Sequence, residues 1–377
     1  MELSEIRRKI DRIDDEMAAL YVKRMALSAE VAKSKVQTGK AVTDGERERE
    51  IVYRLAEKSP KELTVYLKEL YDTVFFTSKA YQSALIGRTS KTVEELKRLI
   101  SDGFTEMPAL ATVACQGIKG ANSGVAAQKF FPVPNIVDVK NFEGVFSAVE
   151  SGLCEYGVLP IENSTAGSVL EVYDLMRKHN FHIVKAARLR ISHCLAAVDG
   201  ANVSDIKTVV SHPQALMQCD EFIKKSNFHA ETDENTAIAA KRVAESGDKT
   251  LAAICSKECA SAYGLKILQA DVQDSDANYT RFILIQKDLC VYKGADKMSV
   301  MTSLPHESGS LNKILGRFSA LGLNLTKLES RPIAGSDFEF MFYFDFEGDI
   351  TDKNVQNLIA GLENDSENFV FLGAYKE

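Results

Sequence analysis

The first 36 residues carry a heptad pattern, and this pattern restricts the fold of the N-terminal region more than any other feature of the sequence. Apolar residues recur every three, four or seven positions, and no proline or glycine interrupts them. They are Leu3, Ile6, Ile10, Ile13, Met17, Leu20, Leu27 and Val31. Such spacing predicts one helix about 50 Å long, at about 1.5 Å per residue, with a single apolar stripe that must be covered.

Two further helices follow, and each also has one apolar stripe. The sequence Thr43-Asp44-Gly45-Glu46 is a capping box, which predicts the start of a second helix that runs to about residue 58. The third helix is marked by Leu63, Leu67, Leu70, Val74, Tyr81 and Leu85. Because one copy of the chain offers little to cover three such stripes, residues 1–90 are predicted to form an intertwined all-helical dimer.

Cations interrupt the stripe of the first helix. Arg24 occupies the stripe position between Leu20 and Leu27, and Lys35 follows eleven residues later. Eleven residues return to within about 20° of the same face and advance about 16 Å, so both side chains can close on one small anion. Arg7 lies about 100° round and about 25 Å from Arg24, so only the Arg7 of a dimer partner could reach that anion. Snorkelling side chains or interhelical salt bridges are the alternative interpretation.

The second and third helices add polar side chains to the same predicted pocket. These are Asp44, Arg47 and Glu48 on the second helix, and Ser78 and Gln82 on the third. With the three cations of the first helix they supply four cations, two carboxylates and an amide. That set suits a small dicarboxylate with hydroxyl and ether oxygens. Taken alone, Ser78 and Gln82 are also compatible with an ordinary polar pair at the edge of a core.

The run IRRKID, YVKR, EVAKSK, TDGERERE and TSKAYQ resembles the all-helical chorismate mutases over residues 1 to about 88. The resemblance implies that Arg7 of the other protomer, Arg24 and Arg47 hold the two carboxylates of chorismate. It also implies that Lys35 and Gln82 contact the ether oxygen, that Asp44 and Glu48 meet the hydroxyl, and that Ser78 is a further binding residue. The reaction is a unimolecular pericyclic rearrangement, so catalysis comes from holding a compact conformer and stabilising charge on the ether oxygen.

A short helix and linker at residues 91–108 lead into an α/β pattern over 109–287. The long stretch at 181–198 predicts a crossover strand, and a second crossover is expected near 275–281, which would give two lobes with a cleft between them. Polar residues follow the apolar runs at Gln116-Gly117, at 162–165 and at 211–214. Ligands of open α/β sheets bind at such strand ends, although Asn163, Ser164 and Ser211 are equally compatible with helix caps.

The motifs VACQGIKGANS, GVLPIENSTAGSV, SHPQALMQC and NYTRF together resemble the prephenate dehydratase family, with Ala121-Asn122-Ser123 as a departure from its pattern. The family implies a two-lobed fold like that of periplasmic binding proteins. The residues it places in the site are Glu162, Asn163, Ser164, Ser211, Gln218, Thr280, Arg281 and Phe282. Thr280 is expected to donate a hydrogen bond to the leaving hydroxyl. Arg281 is expected to bind a carboxylate, with a structural ion pair as the alternative.

Residues 297–377 have the order βαββαβ, which predicts an α+β ferredoxin-like domain of its own. Phenylalanines at 338, 340, 342, 344 and 346 alternate with period two and predict one sheet face covered by the helices. The segment resembles an ACT regulatory domain. The resemblance implies that L-phenylalanine binds at Gly309, Ser310, Leu311, Asn324, Glu329, Ser330, Arg331 and Pro332. A structural role for Arg331-Pro332 is the alternative.

Composition excludes several classes of protein. The formal net charge of −7 over 377 residues argues against nucleic-acid binding, and seven cysteines without a Cys-x-x-Cys pair favour reduced thiols over a disulfide or zinc framework. No apolar run has the length of a membrane helix, and the first residues do not read as a signal peptide, so a cytoplasmic location is expected. We expect no metal or organic cofactor.

In their combined order the segments resemble the bifunctional chorismate mutase/prephenate dehydratases. The sequence therefore predicts a homo-oligomer, either a dimer or a dimer of dimers, that converts chorismate to prephenate and then to phenylpyruvate under phenylalanine feedback. Two alternatives remain open. One is an enzyme that acts on arogenate in place of prephenate, and the other is an amino-acid sensor that has lost catalysis.

Overall fold

The computed structural model describes residues 2–38, 44–86, 90–304, 306–307, 309–333, 339–366 and 368–377. Its N-terminal region is helical, as predicted. The helices are α1 (Leu3–Thr38), α2 (Gly45–Ala56) and α3 (Thr64–Ile86), with a 3-10 turn at Lys61–Leu63 before α3. Asp44 caps α2 by accepting a hydrogen bond from the Arg47 backbone N–H at 3.0 Å, whereas Thr43 lies outside the described residues.

One copy of the chain leaves the stripe of α1 uncovered. All eight residues of the stripe are exposed, from 39% for Ile6 to 67% for Leu27. Only the C-terminal half of α1 packs against α3, and the buried residues there are Ser28 and Ala32. The helical region is therefore an incomplete core within one protomer.

The first lobe of the α/β region is built on a six-stranded sheet of order β2-β1-β3-β11-β5, with the short β4 paired to β3. Its strands are β1 (Leu110–Gln116), β2 (Val133–Val139), β3 (Tyr156–Asn163), β4 (Gly167–Ser168), β5 (His182–Arg190) and β11 (Tyr279–Gln286). The accompanying helices are α5 (Asn122–Phe130), α6 (Phe142–Glu150) and α7 (Leu170–His179).

The second lobe has a five-stranded sheet of order β10-β6-β9-β7-β8. Its strands are β6 (Cys194–Ala197), β7 (Thr208–Ser211), β8 (His229–Thr232), β9 (Leu251–Cys255) and β10 (Lys266–Gln269). Its helices are α8 (Pro213–Met217), α9 (Asp220–Lys225), α10 (Thr236–Ser246) and α11 (Lys257–Ala262). The chain passes between the lobes twice, through residues 191–193 and 270–278, which confirms both predicted crossovers.

The C-terminal domain has the predicted βαββαβ order, with an antiparallel sheet β13-β14-β12-β15. Its elements are β12 (Lys297–Leu304), α12 (Ser310–Ala320), β13 (Leu325–Pro332), β14 (Phe340–Glu347), α13 (Lys353–Asp365) and β15 (Phe369–Tyr375). Phe344 and Phe346 are fully buried and pack on Phe318 of α12, as the alternation predicts. Phe338 lies outside the described residues.

This domain has its own sheet and core but also packs closely against the α/β region. Met341 and Tyr343 lie on the sheet face opposite the phenylalanines and pack in one apolar cluster with Ile161 and Ile283 of the first lobe. At Gly373, with φ +145°, a Cβ atom would lie 2.1 Å from the carbonyl oxygen of Ile183. Only glycine permits β15 to approach β5 so closely.

The segment predicted as a helix and linker is also part of this domain. Helix α4 (Lys91–Asp102) buries Val93 and Leu96 in the core formed by β12, β14, α12 and α13. Thr92 donates a hydrogen bond to Glu363 of α13 at 3.1 Å, and Ser90 donates another to the same carboxylate. None of the described helices is both long and apolar enough to cross a membrane.

Candidate active sites

The helical region brings several predicted mutase residues together between α1 and α3. The guanidinium of Arg24 lies 5.6 Å from the ring centroid of Phe75. Ser78 Oγ is 2.7 Å from Ser28 Oγ and accepts a hydrogen bond from Gln82 Nε2 at 3.3 Å. Ser28 and Phe75 were missed by the sequence analysis, since a serine and a phenylalanine on a helix give no signal of a site by themselves.

Two buried polar atoms of this pocket are unpaired. Arg24 Nη1 and Gln82 Oε1 have no hydrogen-bond partner among the residues that the structure describes. An unmet buried polar group costs about 1–3 kcal/mol, so these two atoms call for a partner that the described part of one protomer does not supply. A carboxylate would meet the guanidinium.

The other predicted mutase residues have different surroundings within one protomer. Arg7 is exposed on the uncovered half of α1, and Lys35 is half-buried nearer its end. Exposed Arg47 pairs with Glu50 at 2.9 Å, and Asp44 is occupied as the cap of α2. Glu48 pairs with Lys79 at 2.9 Å. Their ligand roles remain predictions.

In the α/β region a second cluster forms where β3 ends and the antiparallel β11 begins. Asn163 Nδ2 donates to Thr280 Oγ1 at 2.9 Å, while Asn163 Oδ1 accepts the backbone N–H groups of Thr165 and Ala166 at 3.0 and 2.9 Å. Because the Thr280 oxygen accepts this bond, its own proton remains available for donation. This geometry suits a hydroxyl that stabilises a departing oxygen.

Two serines predicted for this site have other roles. Ser164 Oγ donates to the Ala277 carbonyl at 2.8 Å and accepts from the Tyr279 N–H at 2.9 Å, which fixes the second crossover. Ser211 is fully buried and donates to the Ile254 carbonyl at 2.6 Å, so it joins β7 to β9. Ser211 thus has a structural role in this chain, and its contact with substrate stays a prediction.

The structure places Glu162 and Arg281 on the strand face opposite Asn163 and Thr280, because neighbouring strand residues point to opposite faces, whereas Phe282 shares the face of Thr280. Glu162 accepts a hydrogen bond from Lys327 of β13 at 2.8 Å, on the side of the C-terminal domain. Phe282 is 3% exposed in the core of the first lobe. Within one protomer neither residue joins the cluster around Thr280.

Arg281 belongs to a buried ion cluster, the structural alternative to carboxylate binding. Its guanidinium donates to Asp345 at 2.5 Å and to the Tyr375 hydroxyl at 2.9 Å, and it lies 3.2 Å from Glu377. Burial alone would lower the pKa of Arg281, but these partners outweigh it and raise the pKa above its usual value. The side chain is therefore a fixed cation that ties β11 to the C-terminal domain.

The predicted effector residues divide into two groups. Glu329 accepts from Ser168 at 2.5 Å and Arg331 pairs with Asp174 at 2.7 Å, so within one chain both face the α/β region, and their role in binding an effector stays a prediction. Ser330 and Pro332 are exposed on the other face of β13. Asn324 pairs with Glu347 at the end of the sheet opposite the loop before α12, because β13 and β14 are antiparallel.

The remaining group lies at the start of α12. Gly309 adopts a φ of +85° and precedes the helix at its N-cap position. A small pocket there is lined by Leu304, His306, Glu307, Ser310, Leu311, Phe340 and Phe342. This pocket combines the start of a helix with aromatic rings, and binding of an apolar amino acid there stays a prediction.

Comparison with known proteins identifies the two catalytic segments. The prephenate dehydratase family matches residues 113–289, and the type II chorismate mutase family matches residues 6–83. Arogenate dehydratase/prephenate dehydratase 2 of Arabidopsis thaliana is 38% identical over 70% of this chain and 72% of its own length.

Two further matches extend the comparison, one to almost the full length of the chain and one to a solved structure. The bifunctional chorismate mutase/prephenate dehydratase of Escherichia coli K12 is 29% identical over 99% of this chain and 96% of its own length. The structure of Arthrobacter aurescens prephenate dehydratase with L-Phe has a TM-score of 0.65 at 30% identity, covering 71% of this chain and 90% of that one. The chain belongs to the bifunctional chorismate mutase/prephenate dehydratase family and carries both enzyme activities.

Proposed function

We propose that the two activities act in sequence on one pathway. Chorismate is rearranged to prephenate in the helical region, prephenate is converted to phenylpyruvate in the cleft, and L-phenylalanine inhibits through the C-terminal domain. The observation that carries the proposal is the pair of unpaired buried atoms at the helical pocket together with the free Thr280 proton in the cleft. The test supplies chorismate alone and follows phenylpyruvate, with and without phenylalanine.

In the first step Arg24 holds a substrate carboxylate, and Gln82 is placed beside the ether oxygen. The reaction is unimolecular, so the pocket contributes by selecting a compact conformer and stabilising charge on that oxygen. Arg7 contributes from a second protomer, which also covers the exposed stripe of α1.

A pair of matched variants tests the dimer. Leu20 on the stripe and Leu153 in the α/β region are each 63% exposed. Leu20→Glu should abolish mutase activity and leave dehydratase activity on added prephenate intact, because a charge in the stripe prevents the helices from pairing. Leu153→Glu should change neither. Full mutase activity in Leu20→Glu would contradict the shared pocket.

In the second step prephenate loses carbon dioxide and its ring hydroxyl together. The electrons of the breaking bond to the carboxylate enter the ring, and the oxygen departs with the carbon–oxygen bond electrons. Thr280 donates its proton in a hydrogen bond to that oxygen while Asn163 holds the Thr280 oxygen in place. An aromatic ring results, so the enzyme needs to assist only the leaving group and the orientation of the carboxylate.

Arogenate is the competing substrate, and several relatives carry arogenate dehydratase in their names. It differs from prephenate in the amino group of its side chain. The full-length relationship to the Escherichia coli bifunctional enzyme favours prephenate here. Parallel assays with both substrates decide between them, and a higher kcat/KM for arogenate would overturn the proposal.

A further inference from the structure

A polar network joins the two lobes at the cleft and ends on a residue outside every recognised motif. Gln218, at the end of α8 in the second lobe, donates from Nε2 to Thr165 Oγ1 of the first lobe at 3.0 Å. Its Oε1 accepts from Asn278 Nδ2 at 3.0 Å and lies 3.0 Å from His193 Nε2. His193 and Asn278 lie on the two crossovers, 96% and 98% buried.

Two backbone groups determine the direction of every bond in this network. The N–H groups of Thr165 and Ala166 can only donate, so the Asn163 atom that they contact is its oxygen. The Asn163 amide nitrogen therefore faces Asn278 and Thr280, at 2.9 Å from Asn278 Oδ1 and from Thr280 Oγ1. The Asn278 oxygen accepts, and its nitrogen must donate to Gln218.

The same reasoning continues to His193. The Gln218 atom shared by Asn278 and His193 is an oxygen, so His193 must carry a proton on Nε2 and donate it. Burial lowers the pKa of His193, which favours the neutral ring with that single proton. The His193 backbone N–H donates to Gln273 Oε1 at 2.9 Å, which anchors the residue at the crossover.

We propose that His193 is a positioning residue of the dehydratase. Its Nε2–H fixes the orientation of the Gln218 amide, and Gln218 in turn fixes the Asn278 amide. Asn278 then orients Asn163, which donates to the Thr280 oxygen. The Thr280 proton is therefore directed to the substrate. Since the network connects both lobes and both crossovers, it also sets the separation of the lobes at which Thr280 is aligned.

Two amide replacements separate this role from simple packing. The nitrogen of a glutamine side chain reaches the place of His Nε2, whereas the shorter asparagine reaches only the place of Nδ1. His193→Gln should therefore keep dehydratase kcat within about threefold of wild type. His193→Asn should lower dehydratase kcat by roughly 10- to 100-fold, the scale of a misplaced catalytic group, with KM changed far less.

Two measurements on the same full-length variants show whether they are folded: their mutase activity and their thermal melting curve. Equal losses in both variants with mutase activity intact would refute the donor role, and so would a His193→Asn enzyme with wild-type kcat. If His193→Asn does not fold, Asn278→Ala interrupts the same network from its other side and must show the same fall in kcat. A wild-type kcat in folded Asn278→Ala would overturn the proposal.

Discussion

The helical region and the rest of the chain differ in how fully one protomer covers its apolar surface. The eight stripe residues of α1 are all at least 39% exposed, whereas Leu159, Ile283 and Tyr375, where the first lobe meets the C-terminal domain, are at most 1% exposed. The stripe of α1 therefore needs a cover that its own chain does not supply, and in the proposed function a second chain supplies it. The first lobe instead finds its cover in the C-terminal domain of its own chain.

The polar contacts follow the same division. Lys327–Glu162, Arg331–Asp174 and Arg281–Asp345 join the C-terminal domain to the first lobe. Arg281 is the chain neighbour of Thr280, on the opposite face of β11. A change in the C-terminal domain can thus act directly on the strand that carries Thr280, and a fragment that ends at Lys287 would expose the shared core.

The largest effect is expected from Asp345→Ala, which tests whether the Arg281 cluster joins the C-terminal domain to the first lobe. It leaves Arg281 buried with one carboxylate fewer, and breaking a buried pair costs about 3–5 kcal/mol. Asp276→Ala is the control, because Asp276 is 82% exposed in its pair with Arg190, and such pairs contribute at most about 1 kcal/mol. Urea unfolding followed by circular dichroism measures both. Equal stability of the two variants would show that the Arg281 cluster does not hold the domains together.

Arg24→Ala tests the helical region, in which the mutase pocket is proposed. We expect mutase turnover to fall by about 10²–10³-fold, the scale of one electrostatic contact to the reacting molecule, with dehydratase turnover on added prephenate unchanged. Arg54→Ala, an exposed position at the end of α2, should affect neither activity. Loss of both activities in a folded Arg24→Ala enzyme would contradict the separation of the two pockets.

Periodicity was sufficient to predict the elements of the fold but not the contacts between domains. The alternation of β14 predicted the buried face of Phe344 and Phe346, because one helix layer covers it. Met341 and Tyr343 occupy the intervening positions, and their burial depends on a sheet that lies far away in the sequence. The segment predicted as a helix and linker contains α4, and its packing in the C-terminal domain depends on equally distant contacts.

Some contacts of the predicted site residues also follow from the sequence pattern, and others depend on the packing of the domains. Asn163 and Thr280 are strand-end residues, so their meeting follows from the pairing of β3 with β11. Glu162 and Arg281 come from the same motifs, but a pleated strand turns adjacent residues to opposite faces. A sequence motif does not indicate which face of a strand lies toward the cleft and which lies toward the C-terminal domain. Asn278 lies within NYTRF and could have been noticed there, whereas His193 carried no sequence signal.

Thr280→Ala sharpens the account of the dehydratase site. Dehydratase turnover should fall by more than about 100-fold, the effect of losing a positioned donor at a leaving group, while mutase turnover is unchanged. Thr280→Ser keeps the hydroxyl and should retain most of the activity. Steady-state assays on prephenate measure both variants. A fall of less than about tenfold in Thr280→Ala would leave Asn163 as the remaining candidate donor in this cluster.

The smallest expected effect concerns L-phenylalanine, and it tests whether the C-terminal domain acts on its neighbour by more than packing. An allosteric coupling of 1–3 kcal/mol is typical and corresponds to about 5- to 150-fold inhibition of the dehydratase. Calorimetric titration of the full chain should show heat of binding that Leu311→Asp abolishes, because the introduced carboxylate repels the ligand carboxylate at the start of α12.

Arg331→Ala is the informative comparison for that titration, since the structure pairs Arg331 with Asp174 and places it away from the pocket. Heat of binding should survive this change, while inhibition weakens because one contact between the domains is lost. Loss of binding in Arg331→Ala would show that Arg331 belongs to the effector site, which a second protomer would then have to complete. Heat that persists in Leu311→Asp, with inhibition competitive against prephenate, would place phenylalanine in the catalytic cleft and remove the regulatory role of the domain.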